Sequence, residues 1–331
     1  MKRGLVLGKF APFHEGHQQL VEKSLELTDQ TIVLVYDSPE VTRIPVETRA
    51  RWIRKIYPQA EVIEGNGSPA DEGNDPRVMR IQEEYIRKVV PQPITHFISS
   101  EWYGAHVSHA LGAIDVRMDR HSSRSPVSGT AIRANPFDHR NHVHPYVYRD
   151  LVRWIVLVGA ESTGKSELTR ELAIHYQTEH VQEHGREFWL SHHDPDGILS
   201  LRQLAQLADE HRNIEETAVL KANRLLFCDT DARITRQYSC WYHDGSVDPK
   251  LAQYADECRD RYHLTILCGD DIPYIDDGTR AGPVRRRQAQ QELMALLDAA
   301  GVDWVDAKGS LKQRVQIVTD AIRERRLDCW C

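Results

Sequence analysis

The stretch GKFAPFHEGH at residues 8–17 follows a short apolar run and precedes an amphipathic one. This order predicts a strand, a tight turn and a helix, and an open α/β sheet binds its ligands at such a junction. His14 and His17 lie three residues apart, so they would share one face of the first helical turn. Gly16 between them would let a phosphate chain approach the backbone, where the helix N-terminus adds positive potential. We therefore predict a phosphate site at this junction.

Short β-branched runs alternate with amphipathic stretches on both sides of the junction. The strand candidates of the first half are residues 3–8, 31–36, 61–64, 95–99 and 114–118. Its helical patterns are residues 16–28, 47–57, 76–90 and 103–111. The pattern restarts with a strand at 154–158 and a helix at 165–177, and later strand candidates are 225–228, 264–268 and 303–305. Such alternation predicts α/β architecture, with parallel sheets flanked by helices on both faces.

A chain of 331 residues is long enough for two domains, each with its own core. Residues 135–145, NPFDHRNHVHP, are polar, rich in histidine and bracketed by prolines, which is typical of a linker. We therefore place one domain at residues 1–145 and a second at residues 146–331. The histidines of this stretch would also suit a metal, but a solvated connector is the stronger interpretation.

Charge and composition exclude several classes of function. The net charge is −7, whereas general nucleic-acid binders are usually basic, so we expect no nucleic-acid partner. No apolar run approaches the ~20 residues of a membrane helix, and the first run is too short for a signal peptide, so we expect no membrane insertion. The six cysteines are scattered, which fits reduced thiols and a cytoplasmic location. Cys329 and Cys331 form a lone C-x-C pattern, which indicates metal only weakly.

A second phosphate-binding pattern is SGTAIR at residues 128–133, after the fifth strand candidate. Ser128 and Thr130 fall at a helix start, and Arg133 lies about one turn further on. Their hydroxyls and guanidinium, together with free N–H groups, would grip a polyphosphate. Either motif alone is also compatible with a simple helix cap. The pairing of the two favours a nucleotide site.

A third motif, GAESTGKS at residues 159–166, fits G-x-x-x-x-G-K-[ST] between a β-rich run and an amphipathic helix. In a P-loop the N–H groups wrap the phosphates, Lys165 bridges the β- and γ-oxygens, and Ser166 ligates Mg²⁺. LLFCDTD at residues 225–231 is an apolar strand that ends in two acids. Asp229 is our choice for the carboxylate on the metal side and Asp231 is the second, although either would also suit a helix cap.

The pairing of H-x-G-H with SGTAIR resembles the nucleotidyltransferase superfamily that carries HxGH and ISTxxR-type signatures. Within it, SSEWYG at residues 99–104 and VSGTAIR at 127–133 are similar to the nicotinamide mononucleotide adenylyltransferases of the bacterial NadR type. The P-loop, GRE at 185–187 and DDGTR at 276–280 resemble the ribosylnicotinamide kinase domain of the same bifunctional family. The resemblance implies a Rossmann-like nucleotidyltransferase domain followed by a P-loop NTPase-type kinase domain.

The resemblance is not complete. Gly129 stands where a second serine is frequent, which would cost one hydroxyl but not the backbone N–H. Residues 191–224 do not match a pattern of the family that we recognise, so substrate contacts there stay open. Some members of the family begin with a helix-turn-helix domain, whereas this chain starts at the catalytic strand, so we expect no DNA-binding role.

Motifs and resemblance together imply two sets of site residues. The transferase would use His14 and His17 in catalysis, and it would bind phosphate through Gly8, Lys9, Phe10, Gly16, Ser128, Gly129, Thr130 and Arg133. The kinase would use Lys165 and Asp229 in catalysis and Ser166 and Asp229 for Mg²⁺, and it would bind ATP through Gly159, Ala160, Glu161, Ser162, Thr163, Gly164, Lys165, Ser166 and Arg280. Its nucleoside-binding residues would be Arg186, Glu187, Trp241 and Tyr274.

Aromatic and basic residues of the second half allow two interpretations. Trp241, Tyr242 and Tyr274 are candidates to stack on a cationic pyridinium, although core packing is the more usual fate of such rings. Residues 276–287 hold two glycines followed by three arginines. This composition is typical of a basic lid over ATP, or of an exposed loop before a helix at 283–299.

The implied function is synthesis of NAD in two ATP-dependent reactions. The kinase would phosphorylate nicotinamide riboside, and the transferase would join the resulting mononucleotide to AMP from a second ATP and release pyrophosphate. The ligands are then ATP, nicotinamide mononucleotide, nicotinamide riboside and NAD, with Mg²⁺, and a homo-oligomer is left open. The main alternative, a phosphopantetheine adenylyltransferase fused to a dephospho-coenzyme A kinase, has the same ATP sites. A nucleotide sensor without catalysis is less favoured, because His14, His17, Lys165 and Ser166 are intact.

Overall fold

The computed structural model of the protein describes residues 1–70, 75–101, 103–118, 127–195, 197–276 and 282–329. The described chain divides into two compact units, Met1–Leu151 and Val152–Cys329. The domain boundary between residues 145 and 146 stays a prediction. None of the helices in the described ranges has both the length and the apolar character that a membrane crossing requires.

The first unit is built on a five-stranded parallel sheet with the strand order β3-β2-β1-β4-β5. Its strands are β1 (Arg3–Gly8), β2 (Gln30–Tyr36), β3 (Glu61–Gly65), β4 (His96–Ser99) and β5 (Ile114–Arg117). Its helices are α1 (Glu15–Leu27), α2 (Val46–Ile56), α3 (Pro76–Val89), α4 (Gly104–Leu111), α5 (Gly129–Ala134) and α6 (Pro145–Leu151). The continuous apolar run of β2 is buried almost throughout, as expected of an inner parallel strand covered on both faces.

The strand order opens a ligand crevice beside β1. The chain steps outward from β1 through β2 to β3, and then returns to the other side of β1 with β4. Such a reversal leaves a crevice at the carboxyl ends of the central strands, because the loops that follow them diverge to opposite sides. The stretch at residues 8–17 leaves β1 at this edge, and α1 begins within it.

The second unit holds another five-stranded parallel sheet, with the order β10-β9-β6-β8-β7. Its strands are β6 (Arg153–Val158), β7 (His180–Val181), β8 (Leu225–Asp229), β9 (Leu264–Cys268) and β10 (Trp304–Ala307). Its helices are α7 (Lys165–Tyr176), α8 (Gly185–His192), α9 (Leu201–Ala218), α10 (Ala232–Tyr242), α11 (Pro249–Arg261), α12 (Pro283–Ala299) and α13 (Leu311–Glu324). Every residue of β8 and β9, which flank β6, is buried.

The predicted α/β fold class is confirmed in both halves. Each predicted strand overlaps a strand of the structure, and both sheets are parallel. The sequence pattern missed β7, because a strand of two residues is too short to show a period. It also left α8 to α11 unassigned, although α8, α9 and α10 contribute residues to the site described below.

Residues 135–145 do not form the solvated connector that the sequence suggested, so that interpretation was wrong. Val143 is only 4% exposed and forms an antiparallel bridge with His14. His142 Nδ1 lies 3.2 Å from Glu15 Oε2. The segment therefore packs on the first unit, because a valine supplies apolar contact and a histidine pairs with a carboxylate.

Candidate active sites

The two histidines of the H-x-G-H motif cap α1 and lie against each other. His14 is the N-cap, and its Nδ1 accepts from the backbone N–H of Gly16 at 3.2 Å. His17 Nδ1 accepts from the backbone N–H of His14 at 3.4 Å, which completes a capping box. The ring centroids are 3.8 Å apart, so the predicted shared face is present. Because each Nδ1 accepts, each neutral ring carries its proton on Nε2.

His14 is held in its neutral form. Burial lowers its pKa to about 4, and the positive charge of Arg133 and of His142 acts in the same direction. At neutral pH its Nε2–H is therefore a hydrogen-bond donor without a net charge. This nitrogen faces α5, since a Cβ added at Gly129 would lie 3.4 Å from it. The Gly129 position, the departure from the commoner family pattern, thus adjoins the first motif.

Arg133 joins the second motif to the first. Its Nη1 donates to the carbonyl oxygen of Ala11 at 2.8 Å, and its Nη2 donates to Thr130 Oγ1 at 3.0 Å. Ser128 is the N-cap of α5, and its Oγ accepts from the backbone N–H of Ala131 at 3.2 Å. The structure therefore brings a guanidinium, a neutral imidazole and a helix start together. This combination suits a polyphosphate.

The glycines of the first motif make room for aromatic rings. A Cβ at Gly8 would lie 3.2 Å from the Phe10 ring, and one at Gly16 would lie 3.1 Å from His14 Cε1. Phe10 is 1% exposed and meets His17 edge to face, with ring centroids 5.0 Å apart. The Phe10 side chain is thus part of the core and supports His17. Only its backbone is left for the predicted phosphate contact.

A buried arginine that the sequence pattern did not single out holds the exit of β1. Arg49 is 1% exposed, and its Nη1 donates to the carbonyl oxygens of Lys9 and Tyr36, while its Nε donates to that of Ile44. It thereby fixes the loops that follow β1 and β2. Lys9 Nζ itself lies 3.5 Å from Glu40 Oε1 and keeps 27% of its side chain exposed. The one signal for Arg49 was a charged residue on the apolar face of α2.

Two buried hydroxyl groups lie at the same edge of the sheet. Ser99 ends β4 and Tyr36 ends β2. Neither Ser99 Oγ nor the Tyr36 hydroxyl has a hydrogen-bond partner among the described residues. Burial also raises the pKa of Tyr36, whose ring meets Tyr85 edge to face. Unpartnered buried hydroxyls are costly, so they indicate a polar ligand here. Trp102, in the SSEWYG stretch at residues 99–104, lies outside the described residues.

The P-loop of the second unit follows β6 and leads into α7, as predicted. Its shape needs a left-handed backbone at Gly164, with φ +78°, and no side chain at Gly159, where a Cβ would lie 2.8 Å from the carbonyl oxygen of Cys268. Lys165 is buried, and its Nζ donates to the carbonyl oxygens of Gly159 and Ala160 at 3.0 Å each. A phosphate ligand must therefore compete with the loop's own carbonyls for this ammonium.

The two acids at the carboxyl end of β8, Asp229 and Asp231, have different environments. Asp231 is the N-cap of α10, and its carboxylate accepts from the backbone N–H of Arg233 at 2.9 Å and from its Nε at 2.8 Å. Asp229 is fully buried, and in the described ranges neither of its carboxylate oxygens has a hydrogen-bond partner. Burial raises the pKa of Asp229, whereas Lys165 and the nearby Ser166 hydroxyl act in the opposite direction. Asp229 and Asp231 were the two candidates for the carboxylate on the metal side. The Asp231 carboxylate caps α10, whereas that of Asp229 does not cap a helix.

A cavity of ≈ 420 Å³ adjoins the P-loop. Its lining includes all of residues 159–166, together with Arg186 and Trp241 from the predicted nucleoside set. Glu187 and Tyr274 are not among the described residues that line it, and the Tyr274 hydroxyl accepts from the backbone N–H of Gly282 at 3.0 Å. Arg280, the predicted lid residue, lies outside the described residues.

The cavity also contains residues that the sequence did not reveal. Glu183 follows β7, His211 comes from α9, and Tyr238 comes from α10. His211 is buried, and its Nε2 lies 3.7 Å from Glu215 Oε1 on the same helix. A histidine on the apolar face of an amphipathic helix is more often a core residue. The sequence therefore offered no reason to predict that His211 lines a cavity.

Two buried polar side chains hold the P-loop in place. Gln290 Oε1 accepts from the backbone N–H of Ala160 at 2.8 Å, and its Nε2 donates to the carbonyl oxygen of Cys268 at 2.9 Å. Arg314 Nη1 donates to the carbonyl oxygen of Thr163 at 2.7 Å. Gln290 belongs to α12 and Arg314 to α13. Two helices near the end of the chain thus position the P-loop, which precedes them by more than 100 residues.

Sequence models of two protein families match the two halves of the chain. The cytidylyltransferase-like family matches residues 5–135, and the AAA domain matches residues 154–314. The chain is 27% identical over 348 residues to the trifunctional NAD biosynthesis/regulator protein NadR of Escherichia coli (strain K12), with 98% of this chain and 84% of that protein covered.

Two crystal structures of NadR proteins align with the chain over 98% of its length and 95% of theirs. The first is a complex with NAD and AMP-PNP, with a TM-score of 0.58 at 23% identity. The second is a complex with NR, with a TM-score of 0.57 at 24% identity. At these identities the two structures establish the fold, and the sequence match to NadR extends over both units. The chain is a homologue of the NadR proteins, with a cytidylyltransferase-like nucleotidyltransferase domain followed by a P-loop kinase domain.

Proposed function

We propose that the protein makes NAD from nicotinamide riboside in two ATP-dependent steps, one in each unit. The observation that carries the proposal is that each unit brings the residues of a candidate phosphate site together. H-x-G-H meets SGTAIR in the first unit, and a P-loop lines a cavity in the second. The relative from Escherichia coli is named as a NAD biosynthesis protein, and the NadR structures hold NAD with AMP-PNP in one case and NR in the other. These names and ligands support the assignment of one reaction to each site.

In the kinase step, the 5′-hydroxyl of the riboside attacks the γ-phosphorus of ATP, and the bond to the β–γ bridging oxygen breaks. ADP leaves, and the hydroxyl proton passes to solvent. Lys165 exchanges its two loop carbonyls for phosphate oxygens, and the N–H groups of residues 159–166 hold the rest of the phosphate chain. The riboside binds in the same cavity, near Arg186 and Trp241, which line it together with the P-loop. Glu187 and Tyr274 would contribute only through movement of their segments.

Mg²⁺ belongs to the kinase half of this proposal, and the residues fit it. Asp229 offers carboxylate oxygens, which are hard ligands, and no described residue occupies them. The Ser166 hydroxyl lies nearby. An ion held by Asp229 and Ser166 would offset the negative charge of the phosphates. In the described ranges, no group of three or more His, Cys, Asp or Glu is arranged to hold a metal.

In the transferase step, a phosphate oxygen of nicotinamide mononucleotide attacks the α-phosphorus of a second ATP. The α–β bridging bond breaks, pyrophosphate leaves, and no enzyme-bound intermediate forms. His14 Nε2–H and the Arg133 guanidinium stabilise the charge that develops on the phosphate oxygens, with His17 beside them. The mononucleotide binds near the unpartnered hydroxyls of Ser99 and Tyr36.

Substrate assays on the full chain test the proposal. The purified protein is incubated with ATP, Mg²⁺ and either nicotinamide riboside or phosphopantetheine, and the products are separated and identified by mass. We expect nicotinamide mononucleotide followed by NAD from the riboside, and no adenylylated pantetheine. Dephospho-coenzyme A without NAD would instead establish the main alternative. Binding of NAD without turnover of either acceptor would favour a sensor. The cytoplasmic location stays a prediction.

A further inference from the structure

In the kinase cavity, the aromatic ring of Trp241 is already in contact with a positively charged side chain, that of Arg285. Arg285 Cζ lies 4.1 Å from the centroid of the Trp241 ring. Both residues line the cavity that contains the P-loop. The guanidinium therefore covers part of one face of an indole ring that borders this cavity. A contact at this distance is a cation–π interaction, which is strongest with the tryptophan ring.

A carboxylate fixes the same indole from its N–H edge. Trp241 Nε1 donates to Glu292 Oε2 at 2.7 Å. Gln237 Nε2 also donates to Glu292 Oε2, at 3.2 Å, and Gln288 Nε2 donates to Glu292 Oε1, at 2.8 Å. Although burial opposes the shift, these hydrogen bonds and the charge of Arg285 hold the pKa of Glu292 below its ordinary value. A negative charge at the edge of the ring strengthens the attraction of its face for cations.

We propose that Arg285 is a place-holder cation on Trp241, which the cationic pyridinium of the nucleoside substrate displaces towards the phosphates of ATP. The proposal rests on the proposed function, because it needs a positively charged ring as substrate. It assigns to Arg285 the selection of a cationic ring and the coupling between the two substrates of the kinase.

The displacement follows from electrostatics within one cavity. A pyridinium cannot take the face of Trp241 while a guanidinium stays at contact distance, because two cations would repel each other there. The displaced guanidinium has a partner in the same cavity, since phosphates on the P-loop would accept two parallel hydrogen bonds from it. Within the described part of its own helix, Arg285 donates from Nη1 to Gln288 Oε1 at 3.3 Å and is attracted to Glu292.

Coupling between the two substrates is the consequence. ATP draws Arg285 away from Trp241 and so clears the face for the riboside, while the riboside releases Arg285 for ATP. Because the coupling free energy between two ligands is reciprocal, each substrate must raise the affinity for the other by the same factor. Without Arg285, the face is free at all times and this contribution to the coupling disappears.

Calorimetric titration of the full chain with nicotinamide riboside, with and without AMP-PNP and Mg²⁺, tests the proposal. The variants are Arg285→Gln and its control Arg287→Gln, which removes the same charge from an exposed position outside the cavity lining of the described chain. Without nucleotide, Arg285→Gln should bind the riboside about three- to thirtyfold more tightly than the parent protein, which is the range expected for one cation–π contact. AMP-PNP should tighten riboside binding in the parent and in Arg287→Gln, but not in Arg285→Gln.

A double-mutant cycle separates this role from a structural one. A Trp241→Leu background has no indole face for the guanidinium to occupy, so the further change Arg285→Gln should leave riboside affinity unchanged. The proposal is wrong if Arg285→Gln alone binds the riboside as tightly as the parent protein or more weakly. It is also wrong if Arg287→Gln increases riboside affinity by the same factor as Arg285→Gln. A parent protein that binds no riboside even with AMP-PNP would refute the proposed function as well, and this outcome differs from the others.

Discussion

The guanidinium of Arg133 donates to the carbonyl oxygen of Ala11 at 2.8 Å, and so joins two segments that are 122 residues apart. The same guanidinium contributes to lowering the pKa of His14, which shows that its charge reaches the first motif. The H-x-G-H and SGTAIR patterns are therefore parts of one arrangement. We expect the contribution of Arg133 to catalysis to depend on a planar group that reaches Ala11 and Thr130 at once.

Replacing Arg133 by lysine should impair adenylyl transfer and spare the kinase. Lysine keeps the charge but offers a single nitrogen, so it cannot hold Ala11 and Thr130 together. We expect the rate of NAD formation from nicotinamide mononucleotide and ATP to fall by ~10²–10³. Phosphorylation of nicotinamide riboside by the same preparation serves as the control. A loss below about threefold would show that the charge alone suffices.

His17→Ala should also reduce adenylyl transfer by a large factor. The ring lies against His14, and removal of one preorganised group that stabilises charge typically costs ~10²–10³ in rate. The kinase reaction of the variant should be unchanged. Steady-state kinetics with nicotinamide mononucleotide measure the effect. A near-normal kcat would mean that His17 only takes part in the cap of α1.

Lys165→Met should separate the two activities. The substitution keeps an apolar stem in a buried position but removes the ammonium that reaches the phosphates. We expect no detectable phosphorylation of nicotinamide riboside, and normal NAD formation when nicotinamide mononucleotide is supplied. If both activities vanish while the circular dichroism spectrum is retained, the assignment of one reaction to each unit is wrong.

Asparagine at Asp229, which ends β8, and asparagine at Asp231, two residues later, should give opposite results. Asp229→Asn removes a buried charge that no described group bonds, so stability should hold or rise while the kinase rate falls by ~10² or more. Asp231→Asn breaks a buried pair with Arg233 and should cost about 3–5 kcal/mol of stability. Urea unfolding and kinase assays on both variants check this. A strongly destabilised Asp229→Asn would make that residue structural.

His14 should make the stability of the first unit depend on acid pH. Its pKa is about 4 in the folded chain against 6.5 for the free side chain, so between these values only the unfolded state takes up the proton. Stability is therefore lost as the pH falls from 6.5 towards 4, by up to about 3 kcal/mol. His14→Asn keeps an N-cap acceptor but does not titrate. Urea unfolding from pH 7.5 to 4.5 should show a shallower decline in this variant, and equal slopes would refute the shift.

The strands and the three motifs could be predicted because their causes are local. A β-branched run that ends in a glycine-rich turn and a capped helix needs only neighbouring residues, so β1, β6 and the P-loop lie where the sequence placed them. The pairing of H-x-G-H with SGTAIR indicated one shared site, and the hydrogen bond of Arg133 agrees with that. The resemblance supplied the order of the two domains.

Only the tertiary structure decided which side chains are available to a ligand. Phe10 stands inside a phosphate motif yet is buried, and of two acids that lie two residues apart Asp231 caps a helix, while Asp229 has no hydrogen-bond partner among the described residues. Arg49 and Arg314 reach carbonyl oxygens 40 and 151 residues away. Residue types and their spacing describe what a segment can form by itself. Burial and hydrogen-bond partners are set by segments that are distant in the chain, and these meet only when the sheets assemble.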